Sequence, residues 1–282
     1  MKKFLLTAGL VLGLLSLSFS FAVRHVNGQV DDSTTTTADF VAPSVFQAAV
    51  PAGASIQSIV TAYQAALGGL NNGNDGAHAD GFRQINWDGG STANVTTTLS
   101  PNPFAGFQTT RGALFTTPDG TGFVQAPPSG LAAANVFNNP NYTTIFTPFS
   151  ASRLFSAIGS NVTDVTFFVP GGGNVAAATK GFGAIFTDVD QPDGSGPGEK
   201  RGNRKSSTLV EYFGVHGELL FSSFVPASPG DNSLSFFGVV FPDERIARVR
   251  ITSGNVAPGA DDAGKQDVVM MDDFIYSEPK AQ

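Results

Sequence analysis

The sequence predicts an all-β protein: a two-sheet antiparallel sandwich, jelly-roll-like, with one N-terminal helix. Roughly ten short apolar runs follow Phe82, most of them bounded by Gly, Pro, Asn or Asp, as strand ends are. Gly is frequent, 33 of 282 residues, while charged residues make up only 14%, a balance that suits a turn-rich β chain. The core is supplied by 25 Phe, each removing on the order of 150–250 Å² from water when buried. With no Cys anywhere, disulfides, thiolate metal sites and cysteine nucleophiles are excluded.

Residues 1–28 read as a secretory signal peptide. Lys2 and Lys3 precede an apolar run from Phe4 to Val23, and small residues follow at Ser16, Ser18, Ser20 and Ala22. Cleavage after Ala22 and cleavage near Gly28 both fit, and an uncleaved membrane anchor is the competing reading. The expected location is therefore secreted, extracellular or at the cell surface, with no membrane span once the signal is removed. Residues 1–28 hold three basic residues and no acid, so the remainder carries 13 basic against 23 acidic residues, a net charge of −10. Such a chain is a poor partner for nucleic acid or an anionic membrane.

Residues 29–45, with Thr34–Thr37, read as a flexible leader. A single domain then runs over 46–282. Its helix is expected at about 55–68: Ser55 is a good N-cap, Ile56, Ile59, Val60, Tyr63 and Leu67 share one face, and Gly68-Gly69 ends it. Asn71–Gly76 is a loop by its turn chemistry. Strands are expected at Arg83–Trp87, Gly112–Thr116, Gly122–Gln125, Thr143–Thr147, Val162–Val169, Gly181–Asp190, Thr208–Phe213, Leu219–Val225, Leu234–Phe241, Ala247–Thr252 and Asp267–Tyr276. His216-Gly217 is short enough to join two of these as a hairpin. Residues 191–207 form the one long polar insertion.

Acids are skewed towards Asp, 18 against 5 Glu. A short carboxylate suits turns and caps, but also a rigid oxygen cage for calcium. Strand alternation carries the row Phe182, Ala184, Phe186 on to Asp188 and Asp190, with Asp193-Gly194 turning the chain back. Three carboxylates within six residues repel one another unless they are solvated or bound to a cation. In Met271-Asp272-Asp273-Phe274 one carboxylate must face inward whichever face is core, and it needs a metal, an arginine (Arg83 or Arg111) or backbone donors. The metal candidates are Asp188, Asp190, Asp193 and Asp272, and the cofactor they would hold is structural Ca2+.

Gly81–Gly89, Gly181–Asp190 and Val268–Tyr276, with the stretch Val210–Ile251, resemble a group of secreted bacterial proteins of uncharacterised activity. That resemblance implies the fold and export, not an activity. The closing Asp-Asp-Phe strand is also similar to the last strand of jelly-roll carbohydrate-binding modules, which implies a calcium role for Asp272.

Catalytic chemistry finds little footing. The three His are His25 in the leader region, His78 in the Asn/Gly loop and His216 in a turn, and no nucleophile elbow accompanies them. Five scattered Glu give no glycosidase signature. No enzyme is expected. Trp87, flanked by Asn86 and Asp88, is the candidate ligand contact, against the alternative of an aromatic packed over a sheet edge. The function expected is a secreted non-catalytic module that binds an extracellular glycan or cell-surface polymer, with extracellular polysaccharide or a surface protein as its partner. The alternative is a structural or adhesive component that self-associates, since long β edges pair with other chains.

Overall fold

In a computed structural model that describes residues 42–89, 93–190 and 207–282, the chain pairs into two antiparallel sheets. The expected signal peptide, most of the leader, Asp193 and the polar insertion up to 206 lie outside the described residues. The first sheet is built from β1 (Ser44–Val50), β13 (Leu234–Val240), β10 (Gly181–Thr187), β15 (Met270–Ser277), β7 (Leu154–Ile158), β6 (Gly122–Ala126) and β3 (Thr98–Pro101), in that spatial order. A further strand, β2 (Phe82–Ile85), shares one edge of β15 with β7. The second sheet runs β12 (Leu219–Phe224), β11 (Leu209–Phe213), β14 (Arg248–Thr252), β8 (Val162–Phe167), β5 (Ala113–Thr116), β4 (Phe104–Phe107). A small ribbon pairs β9 (Ala177–Ala178) with β16 (Lys280–Ala281). The two-sheet antiparallel sandwich read from the sequence is the architecture of the chain, and the hairpin across His216-Gly217 is the β11–β12 pair.

The faces of the two sheets meet in a core dominated by aromatic rings. Phe123, Phe155, Phe182, Phe186, Phe237, Phe274 and Tyr276 come from the first sheet, and Phe115, Phe167, Val165, Tyr212, Val249 and Ile251 from the second. The other face of the first sheet is also covered. The helix α1 (Gln57–Ala66) lays Val60 and Tyr63, with flanking Ile56 and Leu67, over Ile185, Phe236 and Ile275. The 126–146 stretch lays Leu131, Tyr142, Ile145 and Phe146 over Val124, Val268 and Met270. That double cover explains why β6, β10 and β15 are buried at every position and read as apolar runs without alternation. Helix α1 approaches closely because Gly183 and Gly238 are cross-strand partners. A Cβ on either would stand about 3 Å from the Tyr63 ring.

Several elements depart from the expectation, and β3, β4 and β7 lie outside every expected strand. The leader does not extend to 45: Ser44 and Val45 already pair with Val240 and Val239 in β1. The helix is two residues shorter at each end than its expected span, with Ser55 Oγ accepting from Gln57 N–H at 3.1 Å and Gly69 N–H closing on Gln64 O at 2.9 Å. It is also not alone, for α2 (Gln108–Arg111), α3 (Pro128–Leu131) and α4 (Tyr142–Ile145) are single turns. The expected strand Thr143–Thr147 is replaced by α4. There Asn139 Oδ1 accepts from Asn141 N–H, and the Thr143 and Thr144 hydroxyls donate to the Pro140 and Asn141 carbonyls. Such local bonds offer the backbone an alternative to a ladder and override the β propensity of Thr.

Candidate functional site

The segment after β2 sends three neighbouring side chains in three directions. Trp87 has a left-handed backbone (φ 63°), which turns its indole into the core, where it is 1% exposed. The ring stacks on Phe155 at 3.8 Å, meets Phe107, Phe115 and Phe274 edge-on, and donates its Nε1–H to Asp272 O at 3.0 Å. It is a core ring with one edge on a cleft, not an open platform for a sugar. Asp88 points away from that cleft and is buried, accepting from Ser152 N–H (2.6 Å), Arg153 N–H (2.9 Å) and the Ser150 hydroxyl (3.4 Å). Asn86 is the member of the trio that faces open space.

That space is a cleft of about 330 Å³ lined by Asn74, Asn86, Trp87, Gly89, Gly106, Phe107, Thr110 and Arg111. A second hollow of about 250 Å³, lined by Asn71, Gln84, Asn86 and Arg111, shares two of those walls. Arg111 stands at the end of α2 with its guanidinium 5.3 Å from the centre of the Phe107 ring. Its Nε–H donates to Asn74 Oδ1 at 2.8 Å, and Nη1 donates to Gln84 O. No carboxylate forms an ion pair with it among the described residues. Burial lowers its pKa, but a guanidinium stays charged.

Behind the cleft, Arg83 holds the loop that carries Asn74. Its Nε and Nη2 grip the Glu278 carboxylate at 2.7 Å each, and the two side chains are 0% and 1% exposed. The same guanidinium donates to the carbonyls of Gly73 (3.0 Å), Asp75 (2.6 Å), Gly76 (2.6 Å) and Thr110 (3.1 Å). Glu278 in turn accepts from Asn72 Nδ2 and from the His78 backbone N–H. Arg83 is thus the anchor of the 72–78 loop and not the partner of an inward Asp, as the sequence had suggested. His78 contributes its backbone to that anchor.

The inward Asp finds backbone donors. The register of β15 against β10 shifts so that Asp272 and Asp273 together stand opposite Ile185, a β-bulge that breaks alternation. Met271 and Phe274 both enter the inter-sheet core, and both carboxylates are buried on the other side. Asp272 accepts from Phe149 N–H (2.6 Å) and Ser150 N–H (3.1 Å), while the Ser150 hydroxyl donates to Asp273 at 2.6 Å and Gln84 Nε2 donates to the same carboxylate. The ligand positions of Asp272 are therefore taken by amides, three residues back along the β10 ladder from Asp188, about 10 Å at strand spacing. It does not join Asp188 and Asp190 in one site.

Burial, and then each other's charge, pushes Asp272 well above the ordinary carboxylate range; burial also raises Asp273 and nearby Asp88. The groups facing the pair are the Phe149 and Ser150 amides, the Ser150 hydroxyl, Gln84 and Asp88, whose own neighbour is Arg153. A carboxyl raised in the folded state binds protons that the unfolded chain releases. The stability it contributes is complete below the ordinary range near 3.8 and is lost as pH rises through the folded value. The melting temperature is expected to fall as pH rises from about 4. In Asp273→Asn, which removes the neighbouring charge that helps to raise Asp272, that slope should be shallower; an unchanged slope would count against coupling between the two carboxyls.

Two of the sequence-predicted metal candidates, Asp188 and Asp190, lie just past the end of β10. Asp188 (φ 68°) and Val189 break the alternation, so that Val189 packs into the core and Asp188, 1% exposed, turns towards Asp262. Asp190 accepts from Gly230 N–H at 2.9 Å, and its own N–H donates to Asp267 Oδ2 at 3.2 Å. Sequence reasoning had Asp188 and Asp190 but missed Asp262 and Asp267, although the run Asp261-Asp262 to Asp267 before an apolar strand was there to be seen. It read Asn74 as part of an oxygen-rich loop and Arg111 as a possible partner of the inward Asp, and did not bring them together with Gln84 in a cleft. Among the described residues no three His, Asp or Glu are already drawn together as a metal-holding group. Nor is any helix among them long and apolar enough to cross a membrane. No family model, curated protein or solved structure matches the chain.

Proposed function

We propose that the chain is a secreted, non-catalytic binding module for an extracellular glycan or cell-surface polymer, with the Asn74–Asn86–Arg111 cleft as its ligand site. The observation that carries this is a half-buried guanidinium with no carboxylate partner among the described residues, ringed by three side-chain amides and the Gln84 backbone, and backed by the Phe107 ring. Amides and a guanidinium present fixed donors to pairs of hydroxyls, and an apolar wall beside them suits a sugar face. Both polar groups are pre-oriented: Arg111 by Asn74 and Gln84, Asn74 by the loop that Arg83 ties down. Holding them before binding reduces the ordering cost of association.

The test is a glycan array with the mature protein, followed by titration of any hit against Arg111→Ala and Asn86→Ala. Each variant is expected to weaken binding at least about tenfold, the loss of one or two good polar contacts, with little change in melting temperature for Asn86→Ala. Saturable binding unaffected by both variants would move the site elsewhere, and no binding to any glycan would sink the reading.

A self-assembling surface component is the second reading, favoured by β12. This edge strand, Leu-Leu-Phe-Ser-Ser-Phe, carries neither charge nor Pro, and Leu219 on it is 54% exposed. Uncharged edges are templates for another strand. Concentration-dependent sedimentation that disappears in Ser222→Lys, without any sugar binding, would favour it.

A further inference from the structure

We propose that Asp188, Asp190, Asp262 and Asp267 bind one divalent cation, calcium by the chemistry of the donors, at the end of β10. The proposal is independent of the ligand cleft. Both oxygens of Asp188 are buried without a hydrogen-bond partner among the described residues, and so is Asp267 Oδ1. The charge that acts most strongly on Asp188 is another carboxylate, that of Asp262. The charges acting on Asp188, Asp262 and Asp267 are themselves carboxylates, with Asp231 adding to those felt by Asp262.

The donors that do reach the cluster hold one side of three of the carboxylates and none of Asp188. Val268 N–H donates to Asp262 Oδ1 at 2.8 Å, Gly230 N–H to Asp190 Oδ1 at 2.9 Å, and Asp190 N–H with the Ser207 hydroxyl to Asp267 Oδ2. These bonds orient the carboxylates as outer partners orient metal ligands, leaving Asp188 and Asp267 Oδ1 uncompensated. A buried carboxylate without a donor is satisfied by a proton or by a cation. Four carboxylates with no nitrogen or sulfur donor among them make a hard, oxygen-only set. Its mixture of tethered and free oxygens suits the flexible coordination of calcium better than the strict octahedron of magnesium. The four residues come from two segments, 188–190 and 262–267, so an ion drawing them in would fasten the approach to β15 onto the end of β10.

The experiment uses the full chain after exhaustive chelation, titrated calorimetrically with calcium chloride and separately with magnesium chloride, with thermal melts alongside. One calcium per chain is expected, with a raised melting temperature, an affinity within the extracellular range of about 10⁻⁴–10⁻³ M or tighter, and weaker binding of magnesium. Asp188→Asn and Asp262→Asn should each weaken calcium binding at least tenfold, whereas Asp80→Asn, at a solvent-exposed acid, should not. Asn accepts the left-handed backbone at 188 readily, and it removes one of the crowded charges. The metal-free Asp188→Asn chain should therefore melt no lower than the metal-free parent. Absence of both heat and thermal shift at about 10 mM calcium, well above that range, would overturn the proposal. So would calcium binding that survives in both variants. A metal-free Asp188→Asn chain that melts higher while the parent takes up no calcium would assign the cluster to proton sharing, and would overturn it equally.

Discussion

Replacing Arg83 by methionine is expected to destabilise the chain by about 3–5 kcal/mol, the usual cost of breaking one half of a buried ion pair. The change strands Glu278, 1% exposed, with only Asn72 and a backbone N–H as partners. It also releases the four carbonyls of the 73–76 loop and Thr110 that the guanidinium gathers. Urea unfolding should show a lower midpoint with an unchanged slope. Glu278→Leu added to Arg83→Met should recover part of the loss, because the stranded charge goes with it. The carbonyls stay unpaired, so recovery should be incomplete. If the single variant unfolds within about 0.5 kcal/mol of the parent, as surface substitutions do, the anchor assigned to Arg83 is wrong.

Trp87→Ala is the second large effect, about 3–5 kcal/mol for emptying a site walled by four Phe rings. Trp87→Phe keeps most of the packing and loses the Nε1–H bond to Asp272 O, so its cost should be smaller. The residue is the sole Trp, which makes fluorescence a direct check. Native emission should be blue-shifted and shielded from acrylamide, shifting red on unfolding. A sugar platform would give the reverse pattern, with Trp87→Ala leaving stability untouched while abolishing binding and with quencher reaching the native indole.

The inter-sheet rows were legible because they obey the two-residue period. Val249 and Ile251 point in while Arg248 and Arg250 reach out to Asp164 at 2.9 and 2.7 Å. Of the strands that escaped notice, β7 is buried at four of its five positions, while the others had weaker text. β1, at a sheet edge, has no fully buried residue, and neither do β3 and β4, which are four residues long. The site was harder to read, since it depends on the places where periodicity fails. The left-handed backbone at Trp87 and Asp188 and the bulge at Asp272-Asp273 each redirect a side chain that alternation would aim elsewhere. Arg111 and Asn74 meet across 37 positions of sequence, and Arg83 and Glu278 across 195. Local spacing carries no information about such pairs.

The position of β15 governs the order in which this molecule can be completed. The β1–β13–β10 block and the β7–β6–β3 block share no ladder with each other, and β15 lies between them, paired with β10, β7 and β2. Every other strand of that sheet precedes it in the chain, so a ribosome has made both blocks before the piece that joins them exists. A nascent chain stopped short of Met270 displays raw ladder edges on both blocks, and such a fragment should be a substrate for chaperones and proteases.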